Sequence, residues 1–173
     1  MKLINYITDS KVGSDLKETE TNGEWNVRLA VRAVLLDDQK RIALMHIAKY
    51  NVYKLPGGGV DEDEDLDTAF FREMMEETGC NADIINLIGI TIEKRDQWKM
   101  FQVSHCYIAL AEKVKELELT DEEKESGFSL HWIDSIDKAL ELVGKNSSDR
   151  YDDRYIKERD YSILQEAKEL LKN

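Results

Sequence analysis

The segment PGGGVDEDEDLDTAFFREMMEETGC, residues 56–80, decides the fold class of this 173-residue chain. Its three consecutive glycines, Gly57, Gly58 and Gly59, predict a tight loop in which the backbone approaches a neighbouring group closely. A helix is predicted over residues 65–79 and ends at Gly79, because glycine is the usual residue just past a helix end. The segment therefore predicts a loop and a helix that together face a ligand.

Three glutamates lie on one edge of the predicted helix. Glu73, Glu76 and Glu77 stand at positions i, i+3 and i+4, beside the apolar side chains rather than opposite them. Like charges at this spacing destabilise a helix by roughly 0.2–0.5 kcal/mol per pair, and the helix dipole disfavours them near its end. A bound cation would offset these costs, and carboxylate oxygens suit Mg²⁺ or Mn²⁺. A solvated acidic face is the alternative interpretation.

The rest of the chain reads mainly as strands followed by helices. Alternating apolar residues predict a hairpin over residues 27–48 and a short strand at 52–55. Further strands are predicted in IINLIGITI, FQVSHCYIALA and FSLHWI, and helices in IDKALELVG and RYIKERDYSILQEAKELLK. This order predicts an α/β fold with a mixed sheet between helices. The expected divisions are an arm or edge element at 1–25, a domain at 26–145, and a packed C-terminal helix at 146–173.

The composition excludes several classes of function. The net charge of −12 argues against a nucleic-acid or anionic-membrane surface, and no apolar run is long enough to span a bilayer. No secretory signal is apparent at the N-terminus, and Cys80 and Cys106 follow no metal-binding spacing, so a cytoplasmic location is expected. A phosphate-bearing substrate would need a local reversal of the negative field, which a divalent cation would supply.

A calcium loop is the rival interpretation of the acidic run Asp61, Asp63 and Asp65. An EF-hand needs glycine at the sixth position of its loop and glutamate at the twelfth. Counting from Asp61 gives Leu66 and Arg72 instead, which excludes an EF-hand.

The same segment resembles the Nudix box, G-x5-E-x7-R-E-U-x-E-E-x-G-U, in which U is a bulky aliphatic residue. The fixed residues match from Gly58 and Glu64 through Arg72-Glu73 and Glu76-Glu77 to Gly79. Met74 and Cys80 occupy positions usually filled by Ile, Leu or Val, and both are apolar. The chain is therefore similar to Nudix hydrolases, which cleave diphosphate linkages in nucleoside diphosphate derivatives.

The resemblance implies a fold and a set of roles. It implies the Nudix α/β/α sandwich, with Glu73, Glu76 and Glu77 as ligands of Mg²⁺ or Mn²⁺ and Glu73 as a possible general base. The backbone of Gly57, Gly58 and Gly59 would complete the binding of the cofactor. Glu64 and Arg72 would support the catalytic residues through hydrogen bonds or an ion pair.

The general base is not fixed by the resemblance, since family members often take it from a loop after the box. Here the acidic loop offers Asp121, Glu122, Glu123 and Glu125 as candidates. A helix capping box formed by Thr120 and Glu123 is the alternative interpretation of that loop.

The substrate is the least determined feature. A small-molecule nucleotide is the expected substrate, preferably a (deoxy)nucleoside triphosphate. The alternative substrates are ADP-ribose, a nucleotide sugar and a dinucleoside polyphosphate. The alternative function is a nucleotide sensor without catalysis. Trp98 could stack on a base, and the cluster Lys94, Arg95 and Lys99 could contact phosphates or form a solvated hairpin tip. The C-terminal helix could form a homodimer interface.

Overall fold

The computed structural model describes residues 1–14, 24–113, 124–125 and 127–172. Its strands are β1 (Leu3–Thr8), β2 (Asn26–Leu36), β3 (Ile42–Ile47), β4 (Val52–Lys54), β5 (Cys80–Arg95), β6 (Met100–Lys113) and β7 (Phe128–Ile133). Its helices are α1 (Leu66–Thr78), α2 (Ile136–Gly144) and α3 (Tyr151–Leu170), with a 3₁₀ turn at Asp96–Trp98.

The seven strands form one mixed sheet. The order is β1-β5-β6-β2-β3-β4, and β7 pairs with the other edge of β3. The longest strands, β5 and β6, are antiparallel, whereas β2 runs parallel to β6 over its whole length. The sheet is therefore mixed, as the sequence predicted.

The two strands predicted within residues 27–48 are present and antiparallel, but they pair as a hairpin only beside the turn. β2 and β3 pair only at Leu36 and Ile42, and β2 is otherwise bordered by the glycine loop. The loop donates one hydrogen bond, from Val60 N to Leu29 O at 3.0 Å, and accepts two, from Val31 N at Gly58 O (3.0 Å) and from Ala33 N at Pro56 O (3.1 Å). Those groups of β2 are consequently not available to β3.

Each face of the sheet carries its own apolar core, because successive side chains of a strand point to opposite faces. Val31 and Leu35 of β2 pack with Phe70 and Met74 of α1 on one face. On the other face, Val34 and Leu36 pack with residues of α2 and α3, among them Ala139, Val143, Ile163 and Leu164. This arrangement confirms the predicted α/β/α sandwich.

The two ends of the chain lie together on the face that carries α3. β1 is the edge strand and pairs in parallel with β5, while Asp9, just beyond it, accepts a hydrogen bond from Tyr151 Oη of α3 at 2.5 Å. The buried hydroxyl of Tyr155 also donates to Asp9 and, at 2.6 Å, to Lys94 O.

Among the described residues, no helix is both long and apolar enough to cross a lipid bilayer.

Replacement of Gly57 by alanine should destabilise the fold strongly. Gly57 has φ +126°, and a Cβ there would lie 2.2 Å from Val31 O, so both backbone strain and overlap oppose a side chain. We expect a loss of about 3 kcal/mol in the free energy of unfolding, measured by urea denaturation.

Gly13→Ala is the matched control, because Gly13 also has positive φ but a Cβ there would meet nothing within 4 Å. The left-handed conformation alone should lower its unfolding free energy by about 1 kcal/mol. Equal losses in the two variants would contradict the close approach of the loop to β2.

Candidate active site

Helix α1 presents its acidic edge because both of its ends are fixed. The Asp65 side chain caps the N-terminus by accepting from Thr68 N at 2.7 Å. Gly79 ends the helix in the left-handed conformation, with φ +67°. Phe70 and Met74 are fully buried in the core, and this anchoring turns the edge that carries Glu73 and Glu77 toward the glycine loop.

Glu77 joins three elements and is buried. Its Oε1 accepts from Lys54 Nζ at 2.6 Å, and its Oε2 accepts from Gly57 N at 2.7 Å. The carboxylate therefore ties α1 both to the end of β4 and to the start of the glycine loop. Lys54 itself is largely buried, so the ion pair lies in a partly water-excluded position.

Glu73 lies directly against the loop. A Cβ on Gly58 would be 2.1 Å from Glu73 Oε1, so any larger residue would displace this carboxylate from its position against the loop. Burial, and secondly the negative charge of Glu77, raise the pKa of Glu73 above its usual value. A cation beside Glu73 would relieve this repulsion.

Arg72 holds the loop to the helix. Its Nε and Nη2 donate to the two carboxylate oxygens of Glu64 at 2.6 and 2.9 Å, and Nη2 also donates to Gly59 O at 3.0 Å. Its Nη1 donates to Glu73 and Glu76, each at 3.0 Å. Hydrogen bonding to Glu64 is the main cause that raises the pKa of Arg72.

The three glutamates do not converge on one point. Within the part of the chain that the structure describes, no group of three potential ligand side chains is close enough to hold a metal ion. Glu73 and Glu76 both accept from Arg72 Nη1, and the Glu76 side chain is 56% exposed. Glu77 instead accepts from Lys54 and Gly57, so the shared edge of the helix does not bring all three carboxylates together.

A cavity of about 390 Å³ lies between the sheet and α3, and Lys54 is one of the residues that line it. We call it the basic pocket. It is lined by the cations Arg28, Arg32, Lys54, Arg95 and Arg159, together with Trp98, Met100, Gln102, Asp152 and Ile156. A chain of net charge −12 therefore concentrates positive charge beside the acidic edge of α1.

Sequence reasoning missed Arg28 and Arg32, although β2 carries a signal for them. They lie on the same face of β2, at even positions of the otherwise apolar run VRLAVRAVLL. Arg32 is 6% exposed, and its Nη1 donates to Val31 O at 2.6 Å and to Gly58 O at 3.2 Å. Arg28 is at the rim, and its Nη1 donates to Gln102 Oε1 at 2.5 Å.

The floor of the basic pocket is a buried polar network around Glu93. Glu93 accepts from Gln102 Nε2 at 3.0 Å and from Arg159 Nη1 at 3.3 Å, and it pairs with Arg95. Burial alone would raise the pKa of Glu93, but the charges of Arg159 and Arg95 outweigh burial and lower it. The carboxylate is therefore held ionised among the cations.

The predicted solvated tip at Lys94, Arg95 and Lys99 is wrong for Arg95, which is 7% exposed and faces the basic pocket. Lys94 instead pairs with Asp96 at 3.1 Å. Trp98 is half exposed at the pocket wall, and its Nε1 donates to Asp152 at 3.2 Å.

Several other predicted candidates lie elsewhere. Asp121, Glu122 and Glu123 fall outside the described residues, and Glu125 is exposed. The histidines lie in the sheet away from the site: His46 and His131 are in contact with each other on β3 and β7, and His105 lies on β6. Cys80 and Cys106 are buried and form no disulfide.

Comparison with known proteins gives matches at the level of family and fold. The chain is 32% identical over 81 residues to an RNA pyrophosphohydrolase of Methylococcus capsulatus, a match covering 47% of this chain and 40% of that protein. It is 37% identical over 57 residues to a putative 8-oxo-dGTP diphosphatase of Bacillus subtilis, covering 33% and 38%. The matched segments therefore span well under half of either relative.

A solved structure shares the fold. A NUDIX hydrolase from Nitrosomonas europaea superimposes with a TM-score of 0.60 at 19% identity, covering 84% of this chain and 90% of that chain. The model of the NUDIX domain family matches residues 26–164, which include the glycine loop, α1, the whole basic pocket and most of α3. Since that match takes in most of the sequence, this chain belongs to the Nudix family.

Proposed function

We propose that the chain is a metal-dependent pyrophosphohydrolase that cleaves the diphosphate linkage of a nucleoside diphosphate derivative, with a (deoxy)nucleoside triphosphate as its preferred substrate. One observation carries the proposal: the carboxylates of Glu77, which is buried, and Glu73, which is partly buried, face the glycine loop directly beside the basic pocket. This arrangement brings a place for cations and a place for phosphates together, which diphosphate cleavage requires.

The residues present fit a divalent cation. The donors proposed for it are Glu73, Glu76 and Glu77 with the backbone of Gly57 to Gly59, and this all-oxygen set suits Mg²⁺ or Mn²⁺. The raised pKa of Glu73 beside Glu77 supports a need for added positive charge. Glu76 accepts a hydrogen bond from Arg72 in the described structure, and this bond would break when Glu76 joins the proposed ligands.

When bound, the cation would neutralise charge on the diphosphate and acidify water for attack at phosphorus. Glu73 is proposed to take the proton of that water, since its carboxylate lies against the glycine loop where the cation and its water would sit. Arg72 and Glu64 are proposed to fix the loop against α1, so that Glu73 keeps its position. The cations of the basic pocket would bind the phosphates of the substrate.

Two observations support a triphosphate over the alternatives. The basic pocket concentrates five cationic side chains in a space suited to one small ligand. One of the relatives that the chain matches is named for a deoxynucleoside triphosphate, 8-oxo-dGTP. Trp98, half exposed at the pocket wall, is proposed to stack on the base.

A homodimer and a cytoplasmic location stay predictions. α3 uses its apolar side for packing on the sheet, through Ile163, Leu164 and Ala167. No partner surface is assigned to its opposite side.

A substrate panel with Mg²⁺ or Mn²⁺ tests the proposed reaction. Nucleoside triphosphates should be turned over with release of pyrophosphate or phosphate, and chelation of the metal should abolish turnover. ADP-ribose and nucleotide sugars serve as comparison substrates. Turnover of these compounds alone would contradict the triphosphate proposal, and binding without any turnover would favour a nucleotide sensor.

Glu77→Gln should lower kcat/KM for the best substrate by more than about 100-fold, since loss of a group that only supports a metal ligand already costs about 10- to 100-fold. Glutamine keeps the shape of the side chain and one acceptor oxygen, so the variant should still unfold cooperatively. Activity is measured by phosphate release and folding by thermal unfolding.

Glu62→Gln is the matched control, because Glu62 is an exposed carboxylate of the same segment. It removes one negative charge and should leave kcat/KM unchanged. Wild-type activity in Glu77→Gln would remove Glu77 from the proposed ligand set.

A further inference from the structure

Arg32 is a buried cation without an anionic partner. It is 6% exposed, and among the described residues it makes no ion pair. Only its Nη1 donates to described acceptors, both of them neutral carbonyls, and its buried Nε has no partner. Burial, and secondly the charge of Arg159, lower the pKa of Arg32 to about 10. The guanidinium is thus held in an environment that disfavours its charge.

The carboxylates around the basic pocket are already engaged by other cations. Lys54 pairs with Glu77, Arg95 pairs with Glu93 and Asp152, and Arg159 pairs with Glu93 and Asp160. Arg28 has only the neutral Gln102 as a hydrogen-bond acceptor. Within the described residues, Arg28 and Arg32 therefore remain as the two cations of the pocket without a carboxylate.

A purely structural role does not account for Arg32. Burying a charge is costly unless an opposite charge compensates it, and a like charge nearby adds to the cost. A stabilising arginine would be expected to have a carboxylate in reach of its fork. The carboxylates of Asp160, Glu77 and Glu93 favour the charge of Arg32 only from a distance, and the nearby Arg159, whose Nη2 is also buried without a partner, opposes it.

The position of the two arginines relates them to the proposed reaction. Arg32 donates to Gly58 O, and Gly58 lies against Glu73. A Cβ on the next residue, Gly59, would be 2.7 Å from Arg28 Nη2. Both guanidinium groups therefore border the same glycine loop, on the side that opens into the basic pocket.

We propose that Arg32 and Arg28, supported from behind by Arg159, form an anion subsite that binds a free phosphoryl group of the substrate next to the bond that is cleaved. The subsite would favour a triphosphate, which carries such a group, over a diphosphate capped on both sides by neutral sugars. This choice of substrate class rests on the proposed function, whereas anion binding by the subsite does not.

Isothermal titration of inorganic tripolyphosphate in excess EDTA tests the subsite without metal and without turnover. The wild-type chain should bind, and Arg32→Met and Arg28→Gln should each weaken binding by at least about tenfold, as expected for lost hydrogen bonds to a charged group. Lys145→Gln is the control, because Lys145 is a 71% exposed cation just past the end of α2 and outside the pocket. The affinity of this variant for tripolyphosphate should equal that of the wild type.

Thermal unfolding separates a binding role from a structural one. Arg32→Met should unfold at the same temperature as the wild type or higher, because Arg32 makes no ion pair among the described residues and its buried Nε has no hydrogen-bond partner. Tripolyphosphate should raise the unfolding temperature of the wild type and leave that of Arg32→Met unchanged. If Arg32→Met fails to fold, or unfolds well below the wild type, the inference for Arg32 is overturned. In that case the tripolyphosphate affinity of Arg28→Gln, at the exposed rim, decides whether the subsite exists.

Kinetics with metal distinguishes failure of this inference from failure of the proposed function. Arg32→Met should raise KM for a nucleoside triphosphate more than it raises KM for a nucleotide sugar, which lacks a free phosphoryl group. Metal-free binding that is lost in the variants supports the subsite even if no triphosphate is hydrolysed. Triphosphate hydrolysis with equal tripolyphosphate affinity in wild type and both variants would overturn the subsite and leave the proposed reaction intact.

Discussion

The hydrogen bonds between the glycine loop and β2 are the constraint on which the rest of the structure depends. They occupy the edge of β2 that a hairpin partner would have used. β3 therefore pairs with β2 only at Leu36, the last residue of β2. They also fix Gly57 so close to Val31 that no side chain fits. With the loop in place, Gly57 N reaches Glu77 and Gly58 lies against Glu73, which sets the position of the acidic edge of α1.

The glycine loop also separates two regions of opposite charge. The acidic edge of α1 lies on one side, and the basic pocket on the other, in a chain whose net charge is −12. Pairs such as Lys54–Glu77 join the two sides. A local cluster of cations can therefore attract a phosphate-bearing ligand despite the overall charge, because nearby buried charges are screened much less than distant exposed ones.

The local features of the acidic segment could be predicted because they depend on neighbours in the sequence. The helix, its end at Gly79 and the loop at Gly57 to Gly59 follow from backbone preferences and spacing. The pairing of Glu76 with Arg72 was open to prediction from their spacing of four residues, whereas the bonds of Arg72 to Glu64 and Gly59 O depend on how the loop packs on the helix. The parallel pairing of β2 with β6 joins segments distant in the sequence, so a pattern read along β2 cannot show it.

The sequence by itself determined the family-specific segment, the α/β class and the edge of α1 on which Glu73 and Glu77 lie. Only the tertiary structure decided that Arg28, Arg32, Arg95 and Arg159 share one pocket. These arginines come from two non-consecutive strands and the C-terminal helix, and no pattern within one segment shows that they meet. Their common position arises from strand order and helix packing, which depend on contacts between distant parts of the chain rather than on any local pattern.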